Sequence, residues 1–325
     1  MRNFFLLMCV CWLTACDSGD SKQEVESLVL ADTQIVNDEG ISGFRLTEIA
    51  QGIFVHQGVH VEIDHTDHAD IPNIGFIVGD QCVAVIDTGG SIAIGAQLRS
   101  AVKSKTDLPI CYVINTHIHF DHVLGNAAFL QDKPQFIGHL NLEEAIFQNK
   151  AFFLENFAND LGANPTDDMI IGPDVLVEDF LEIDLGNRKL LLTANPKSHT
   201  STDLTIHDIK TNTLWLADLL FMERIPSLDG SLLGWFSLME KLHGQQYAQV
   251  IPGHGPASAV WPAAMEPQQQ YFKILIDETR KAIVEGIFLE DAITIVAESE
   301  RPNWLFFDNL NKRAVSRAYR ELEWE

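Results

Sequence analysis

Basic residues are scarce in this chain of 325 amino acids, which has 22 Lys and Arg against 46 Asp and Glu. The formal net charge is −24 at pH 7, and no basic patch interrupts the acidity. A surface of this sign repels the phosphate backbone of nucleic acids. The composition therefore argues against a nucleic-acid partner and is typical of a solubility or high-salt adaptation.

Cysteine is also rare, and no pair among the five cysteines has the spacing of a zinc ribbon. Three of them lie near the N-terminus, which leaves Cys82 and Cys111 in apolar, strand-like segments. An oxidising compartment would permit a disulfide if the two strands were neighbours. We expect two separate buried thiols instead.

The apolar run that follows Arg2 is too short to cross a bilayer and is typical of a secretory signal. It ends in Leu13-Thr14-Ala15-Cys16, which resembles the processing box of bacterial lipoproteins. That resemblance implies a signal peptide over residues 1–15, a lipid on Cys16 and, through Asp17, retention at the inner membrane. Ordinary cleavage near Ala15 without a lipid is the alternative. Either outcome predicts a periplasmic or cell-exterior protein.

The rest of the chain divides into a polar, acidic segment and one folded domain. Residues 16–40 are predicted to be a flexible tether, and residues 41–325 a single domain with a helical C-terminal part. Apolar patterning predicts helices at 91–103, 123–130 and 141–161. It predicts strands at 44–48, 53–59, 74–78, 83–87, 110–114, 136–138, 180–185, 189–194, 203–207, 213–217 and 249–251, with residues 164–178 irregular. This order favours an α/β fold in which two mixed sheets pack face to face with helices outside, an αββα sandwich.

Four potential metal ligands fall within six residues directly after the apolar stretch 109–114: His117, His119, Asp121 and His122. Side chains alternate in an extended segment, so His117 and His119 project to the same side. Asp121 and His122 come where a helix can begin, and they can point to a second position nearby. The run therefore predicts a metal site.

Three further candidate ligands, His199, Asp218 and His254, each lie where a predicted strand gives way to a loop. Loops at one rim of a rigid sheet are where sites are built. Either histidine alone would be read as an ordinary surface or core residue. Together with the first run, the set becomes specific.

These seven positions and the turn Ile86-Asp87-Thr88-Gly89 resemble the metallo-β-lactamase superfamily over residues 52–256. The resemblance implies the αββα fold and a two-metal site. By position, Asp218 would bridge the metals, one held by His117, His119 and His199, the other by Asp121, His122 and His254. Residues 73–79 and 223–235 further resemble zinc metallohydrolase-like proteins associated with sulfur oxidation and with a quinoprotein dehydrogenase, which makes such a dehydrogenase a candidate partner.

Imidazole and carboxylate ligands suit two Zn²⁺ ions, with Fe or Mn also compatible. Two metals about 3.5–4 Å apart can share a hydroxide, because they lower the pKa of water towards about 7. Asp121 would bind metal and orient that hydroxide, so it is the candidate catalytic residue. The chain has no cysteine after Cys111, whereas the lactam-hydrolysing branch with a mixed ligand set has one near the position of Asp218. We therefore expect a zinc hydrolase for a small ester-like or thioester-like substrate.

Two other functions stay open at this point. The same fold with one iron can oxygenate persulfides, and an accessory protein of a quinoprotein dehydrogenase system could bind without turnover. The segment with His56, His60, His65 and His68 is expected to be a solvated loop rather than a pocket rim or an extra metal site. Trp235 could wall a substrate pocket, although core packing is at least as well supported.

Overall fold

The computed structural model describes residues 44–325. The predicted signal peptide, Cys16 and the predicted tether lie outside the described residues. Within the described part of the chain, no helix has the length and apolar character needed to cross a membrane.

The first of two mixed sheets contains seven strands that lie side by side in chain order. The strands from β1 to β4 pair antiparallel, and those from β4 to β7 pair parallel. Their bounds are β1 (Leu46–Ala50), β2 (Ile53–His56), β3 (Ile74–Val78), β4 (Val83–Ile86), β5 (Ile110–Ile114), β6 (Gln135–His139) and β7 (Val175–Val177).

The second sheet contains five strands in the spatial order β12-β11-β10-β9-β8. Only the β11–β12 pair in it is parallel. The bounds are β8 (Phe180–Asp184), β9 (Lys189–Ala194), β10 (Leu204–Asp208), β11 (Thr213–Phe221) and β12 (Gln249–His254). The helices are α1 (Ile92–Lys105), α2 (Phe120–Val123), α3 (Leu142–Asn156), α4 (Leu232–His243), α5 (Glu266–Val284), α6 (Leu289–Ile295) and α7 (Phe307–Leu322).

The apolar core has separate layers on the two faces of each sheet. Side chains from both sheets, such as Ile86 and Ile206, form the central layer. Leu98 of α1 packs on the outer face of the first sheet. Trp235 of α4 and Phe272 of α5 pack on the outer face of the second sheet. The predicted αββα sandwich is confirmed.

One buried arginine ties the two sheets together. Arg188 donates from Nε and Nη2 to the carboxylate of Asp208, at 2.9 Å each. Its Nη1 donates to the carbonyl oxygens of Val78, in β3, and Gln51, in the turn that joins β1 to β2 of the first sheet. A buried ion pair is tolerated when its remaining hydrogen-bonding groups are satisfied, and these contacts satisfy them.

The expectation of two separate thiols is wrong, because Cys82 and Cys111 form a disulfide with their Cα atoms 5.7 Å apart. Strands β4 and β5 are parallel neighbours, with Val83 opposite Ile110, so the two cysteines lie side by side at the strand starts. Other details also differ. The helix predicted at 123–130 is replaced by the short helix α2 and a 3₁₀ helix at Asn126–Asp132, and β2 ends at His56. Residues 164–178 include the short strand β7, and β11 continues past Ala217 to Phe221.

Candidate metal centre

The fold brings all seven candidate ligands together at one edge of the sandwich. The first group contains His117, His119, His199 and Asp218, and the second contains Asp121, His122 and His254. In each group, one potential ligand atom per residue lies within 4.8 Å of the others. His119 is half-buried and the other six residues are buried.

Neighbouring strand ends account for this convergence. His117 and His119 follow β5, Asp121 and His122 lie on the short helix α2, and His199 lies between β9 and β10. Asp218 lies inside β11 where its pairing with β12 is irregular, and His254 ends β12. The family resemblance implies the same division, with Asp218 between the groups, and metal binding by these residues stays a prediction.

Asp218 faces both groups. Its Oδ2 is 3.4 Å from His199 Nε2 and 3.7 Å from His117 Nε2. Its Oδ1 is 3.2 Å from His122 Nε2 in the second group. This is the position that a bridging carboxylate needs.

The outer ring nitrogens of three histidines are hydrogen-bonded to acceptors. His199 Nδ1 donates to the Ser227 carbonyl at 2.7 Å, and His254 Nδ1 donates to the Ile71 carbonyl at 2.9 Å. His122 Nδ1 is 2.8 Å from Asp87 Oδ2. Because carbonyl and carboxylate oxygens can only accept, each Nδ1 carries the hydrogen and each Nε2 is left with a lone pair facing the centre.

Asp87 forms hydrogen bonds that orient two of the candidate ligands. It is fully buried at the end of β4 and accepts from the backbone N–H of Thr116 at 2.8 Å and from Thr116 Oγ1 at 2.7 Å, in addition to His122. Thr116 Oγ1 in turn lies 3.0 Å from His117 Nδ1. One carboxylate therefore orients a histidine of the second group directly and one of the first group through a hydroxyl.

His119 is oriented the other way round. Its Nδ1 points inward, 3.0 Å from His199 Nε2, and its Nε2 lies 3.2 Å from Asp229 Oδ2. Asp229 also contacts Arg317 of α7, at 3.3 Å. The C-terminal helix thus reaches the candidate metal centre through a carboxylate.

Burial and charge set the protonation of the ligands. Burial and, after it, the charge of His119 lower the pKa of His199 to about 3, so this imidazole is neutral at pH 7. Burial alone would raise the pKa of Asp121, but the charges of His122 and His254 outweigh it and lower the pKa to about 2. Burial would lower the pKa of His122, but the charges of Asp218 and Asp121 raise it well above its usual range. Without a metal, the ionised carboxylates therefore hold a proton on His122 that a bound cation would displace, whereas His199 is already in the neutral form that a metal ligand needs.

The donor set fits cations. His122 Nε2 and Asp218 Oδ1 lie 3.2 Å apart but are not hydrogen-bonded to each other, and neither buried atom has another hydrogen-bond partner. Unsatisfied buried polar atoms are costly, and a coordinated cation would satisfy both. A Cβ atom at Gly253 would collide with Asp218 Oδ1, so only glycine lets β12 approach this carboxylate so closely.

The structure also changes the interpretation of the four-histidine segment. His56 is buried and hydrogen-bonded to Asp70, and His60 is half-buried with Nε2 3.0 Å from Glu223 Oε2. The expectation of a solvated loop therefore fails for these two histidines and holds for His65, which is exposed. Trp235 is fully buried against the ring of His199, which supports the core interpretation.

Sequence reasoning missed Asp229 and the role of Asp87. Both contact ligands from distant positions in the chain. The only sequence signal was that Asp87 lies in the turn typical of the family.

Comparison with known proteins identifies the family. A family model described as the metallo-beta-lactamase superfamily matches residues 69–271. The chain therefore belongs to the metallo-β-lactamase superfamily. A search of curated proteins gave no match.

Solved structures share the fold at low sequence identity. A metallo-beta-lactamase from Pontibacter korlensis is 16% identical, with a TM-score of 0.55, and the match covers 70% of this chain and 99% of that one. One from Hirschia baltica is 18% identical, with a TM-score of 0.53 and coverage of 70% and 97%. The stereoselective inverting sec-alkylsulfatase Pisa1 from Pseudomonas sp. is 16% identical, with a TM-score of 0.62, and the match covers 85% of this chain. This chain spans 50% of that sulfatase.

Proposed function

We propose that the protein is a metal-dependent hydrolase that holds two cations, expected to be Zn²⁺, and cleaves a small ester-like or thioester-like substrate. One observation carries this proposal: seven nitrogen and oxygen ligands converge in two adjoining groups with Asp218 between them. Fe or Mn would also suit this mixture of imidazoles and carboxylates.

The residues of the chain have distinct roles in this proposal. His117, His119 and His199 would hold one cation, Asp121, His122 and His254 the other, and Asp218 both. Such cations supply Lewis acidity and lower the pKa of water to about 7 when bound. The ionised Asp121 carboxylate can also accept a hydrogen bond from the attacking water and so orient it. Addition of that water to the acyl carbon would form a tetrahedral adduct, and its collapse would break the bond to the leaving oxygen or sulfur. The products would be the acid and the alcohol or thiol, which takes up one proton of the water.

The choice of substrates to test follows from the ligand set and the structural neighbours. A carboxylate in the place of Asp218 favours esters and thioesters over lactams. Similarity to a sec-alkylsulfatase over 85% of this chain adds sulfate esters to the panel.

The cellular setting is inferred from sequence motifs alone. The lipoprotein box that ends in Cys16 supports a periplasmic protein anchored at the inner membrane. Residues 73–79 and 223–235 support an association with a quinoprotein dehydrogenase. Membrane fractionation of the wild type and of Cys16→Ser tests the anchor, and retention of the variant in the membrane fraction would contradict it.

The test of the hydrolase is metal analysis and turnover on one panel of ester, thioester, lactam and sulfate-ester substrates. His119→Ala and Asp121→Ala should each lose bound metal and most of the turnover. His243→Ala, an exposed histidine far along α4, is the matched control and should change neither.

Two outcomes would contradict the proposal. One is a wild type that holds less than one metal per chain, and the other is equal turnover in the ligand variants. Iron alone, together with oxygen uptake on a persulfide donor, would instead support the persulfide-oxygenating alternative. Tight quinone binding without turnover would support the accessory-protein alternative.

A further inference from the structure

The loop that carries His199 also carries a buried carboxylate, Asp203. This residue is 3% exposed, and burial raises its pKa to about 6, although the donors of Thr200 oppose the shift. Holding an ionised carboxylate in this position at neutral pH is therefore costly. A neutral amide of the same shape would fill the space without that cost, so packing alone does not account for the carboxylate.

Asp203 fixes the backbone next to His199. Its carboxylate accepts from the backbone N–H of Thr200 at 2.9 and 3.1 Å and from Thr200 Oγ1 at 2.6 Å. Its own carbonyl oxygen accepts from the backbone N–H of Asn195 at 2.9 Å, which closes the loop at its base. The residue that follows His199 is therefore held from inside the loop.

A chain of hydroxyl groups continues from this carboxylate to Ile118, the residue between two candidate ligands. Thr200 Oγ1 lies 3.0 Å from Thr202 Oγ1, which accepts from the backbone N–H of Ile118 at 3.1 Å. Both threonines are buried, Thr202 completely. Because an ionised carboxylate can only accept, the hydroxyl hydrogen of Thr200 points to Asp203, and Thr202 must then donate to Thr200. Every hydrogen in the chain, including that of the Ile118 amide, therefore points towards Asp203.

We propose that Asp203 is a positioning residue for the three histidines of the first ligand group, which it reaches through the Thr200 backbone and through the Thr202 hydroxyl. This rests on the proposed function, since the group is taken to hold a cation. Ligands whose backbone is already fixed lose less conformational freedom when the cation binds, which strengthens binding. Asp87 has the corresponding position behind His122 of the second group.

Two substitutions of Thr202 separate the hydroxyl chain from packing. Thr202→Val keeps the shape and removes the hydroxyl, whereas Thr202→Ser keeps the hydroxyl and removes a methyl group. In a Zn²⁺ titration of the metal-free full chain, Thr202→Val should weaken binding by the first group about 10-fold, the lower end of the range for partners of a metal ligand, and Thr202→Ser by less than about twofold. The reverse order would show that packing is what matters at this position and would overturn the proposal.

Asp203→Asn removes the acceptor that fixes the direction of the chain. Either orientation of the amide sets its N–H₂ group against a donor of Thr200, so binding should again weaken about 10-fold. Because the two residues act in one chain, Asp203→Asn combined with Thr202→Val should stay below about 30-fold, whereas independent effects would multiply to about 100-fold. A loss near the product would refute the chain. The two Thr202 variants decide the question even if Asp203→Asn does not fold.

A second Asp–Thr–Thr arrangement supplies the matched control. At the other end of β10, Asp208 accepts from the backbone N–H and the hydroxyl of Thr211, whose Oγ1 lies 2.8 Å from Thr213 Oγ1. Thr213 is buried, as Thr202 is. Thr213→Val therefore removes an equivalent hydroxyl away from the centre. It should lower the urea midpoint to a similar extent as Thr202→Val and leave the Zn²⁺ titration unchanged.

The visible absorption of the Co²⁺-loaded protein reports ligand geometry and not stability. This spectrum should change in Thr202→Val and Asp203→Asn and stay as in the wild type in Thr202→Ser and Thr213→Val. A spectrum that followed the urea midpoint across all four variants would assign Asp203 a merely structural role and contradict the proposal.

Hydrogen exchange of the metal-free protein tells failure of the proposed function apart from failure of the positioning role. The amide of Ile118, followed by NMR, should exchange about 10-fold faster in Thr202→Val than in the wild type, the loss of one hydrogen bond, and at the wild-type rate in Thr202→Ser. That result would support the positioning role even if the wild type cleaved no substrate. Equal exchange in Thr202→Val and the wild type would refute it, whatever the activity.

Discussion

Replacing Asp87 with asparagine should weaken metal binding by the second ligand group without unfolding the protein. The carboxylate accepts from three donors, two on Thr116 and one on His122. The asparagine side chain has the same shape, but it offers one acceptor oxygen in place of the two of the carboxylate. The amide N–H group would face either His122 Nδ1–H or the Thr116 donors, and the lost contact with His122 would favour the tautomer whose Nε2 carries the hydrogen.

The expected size follows from the position of Asp87 behind the ligand. Loss of a partner that orients a metal ligand costs about 10- to 100-fold in metal affinity. That is roughly 1.4–2.7 kcal/mol of binding free energy. Metal binding by the group that contains His117 should be weakened less, because Asp87 contacts His117 only through the Thr116 hydroxyl.

Asparagine is the suitable replacement at this position for two reasons. Asp87 has φ of 54°, a left-handed conformation that asparagine tolerates better than most residues. Burial raises the pKa of Asp87 although His122 and Thr116 oppose the shift, so the charged form is costly here. A neutral amide avoids that cost, and the unfolding free energy of the metal-free variant should fall by less than about 2 kcal/mol.

The assay is a Zn²⁺ titration of the metal-free full chain against a chromophoric chelator, with urea unfolding of the same samples. Asp132→Asn is a matched control, since Asp132 pairs with Arg99 and Lys103 away from the centre. If Asp87→Asn bound both cations within about twofold of the wild type, the argument that this carboxylate sets the tautomer of His122 would be refuted.

Three further predictions concern single contacts. Asp229→Asn should weaken metal binding by the group that contains His119 about 10- to 100-fold, and an unchanged titration would contradict it. Replacing Cys82 and Cys111 together by serine should lower the unfolding free energy by about 3–4 kcal/mol in urea, as the chain-entropy relation gives for the 29-residue separation; a loss below about 1 kcal/mol would argue against it. Burial would lower the pKa of His68, but its hydrogen bonds raise it above the usual value, so its contribution is present below about pH 6.5 and lost as pH rises through the raised pKa. The stability difference between the wild type and His68→Gln, at most about 1 kcal/mol, should therefore be larger at pH 5.5 than at pH 8.5, and a pH-independent difference would contradict the assignment.

The identity of the seven candidate ligands could be read from the sequence because each one carries a side chain of a diagnostic type near a strand end. The order of strand and helix signals fits the αββα sandwich but does not specify that topology, which followed from the ligand pattern and the family that it resembles. The resemblance to a family supplied the grouping of the ligands, and periodicity alone could not have done so.

The features that were missed depend on contacts across the chain that leave no local pattern. The carbonyl oxygens of Ile71 and Ser227 orient two histidines, and any residue type can supply a carbonyl. The disulfide depends on which strands become neighbours, which the patterning around Cys82 and Cys111 does not specify. Strand β7 is only three residues long and is defined by its pairing with β6.

Two loops that are far apart in the sequence supply the groups that orient several of the candidate ligands. The loop before β3 supplies the Ile71 carbonyl behind His254, and its Asn73 is hydrogen-bonded to the backbone of Gly253 and Pro252. The loop after β11 supplies the Ser227 carbonyl and the Asp229 carboxylate.

The same two loops carry His60 and Arg224, whose side chains have buried polar atoms without a hydrogen-bond partner. Segments that orient the ligands are therefore the segments that would meet the substrate. A substitution that shifts the backbone of either loop should change metal affinity and substrate preference together.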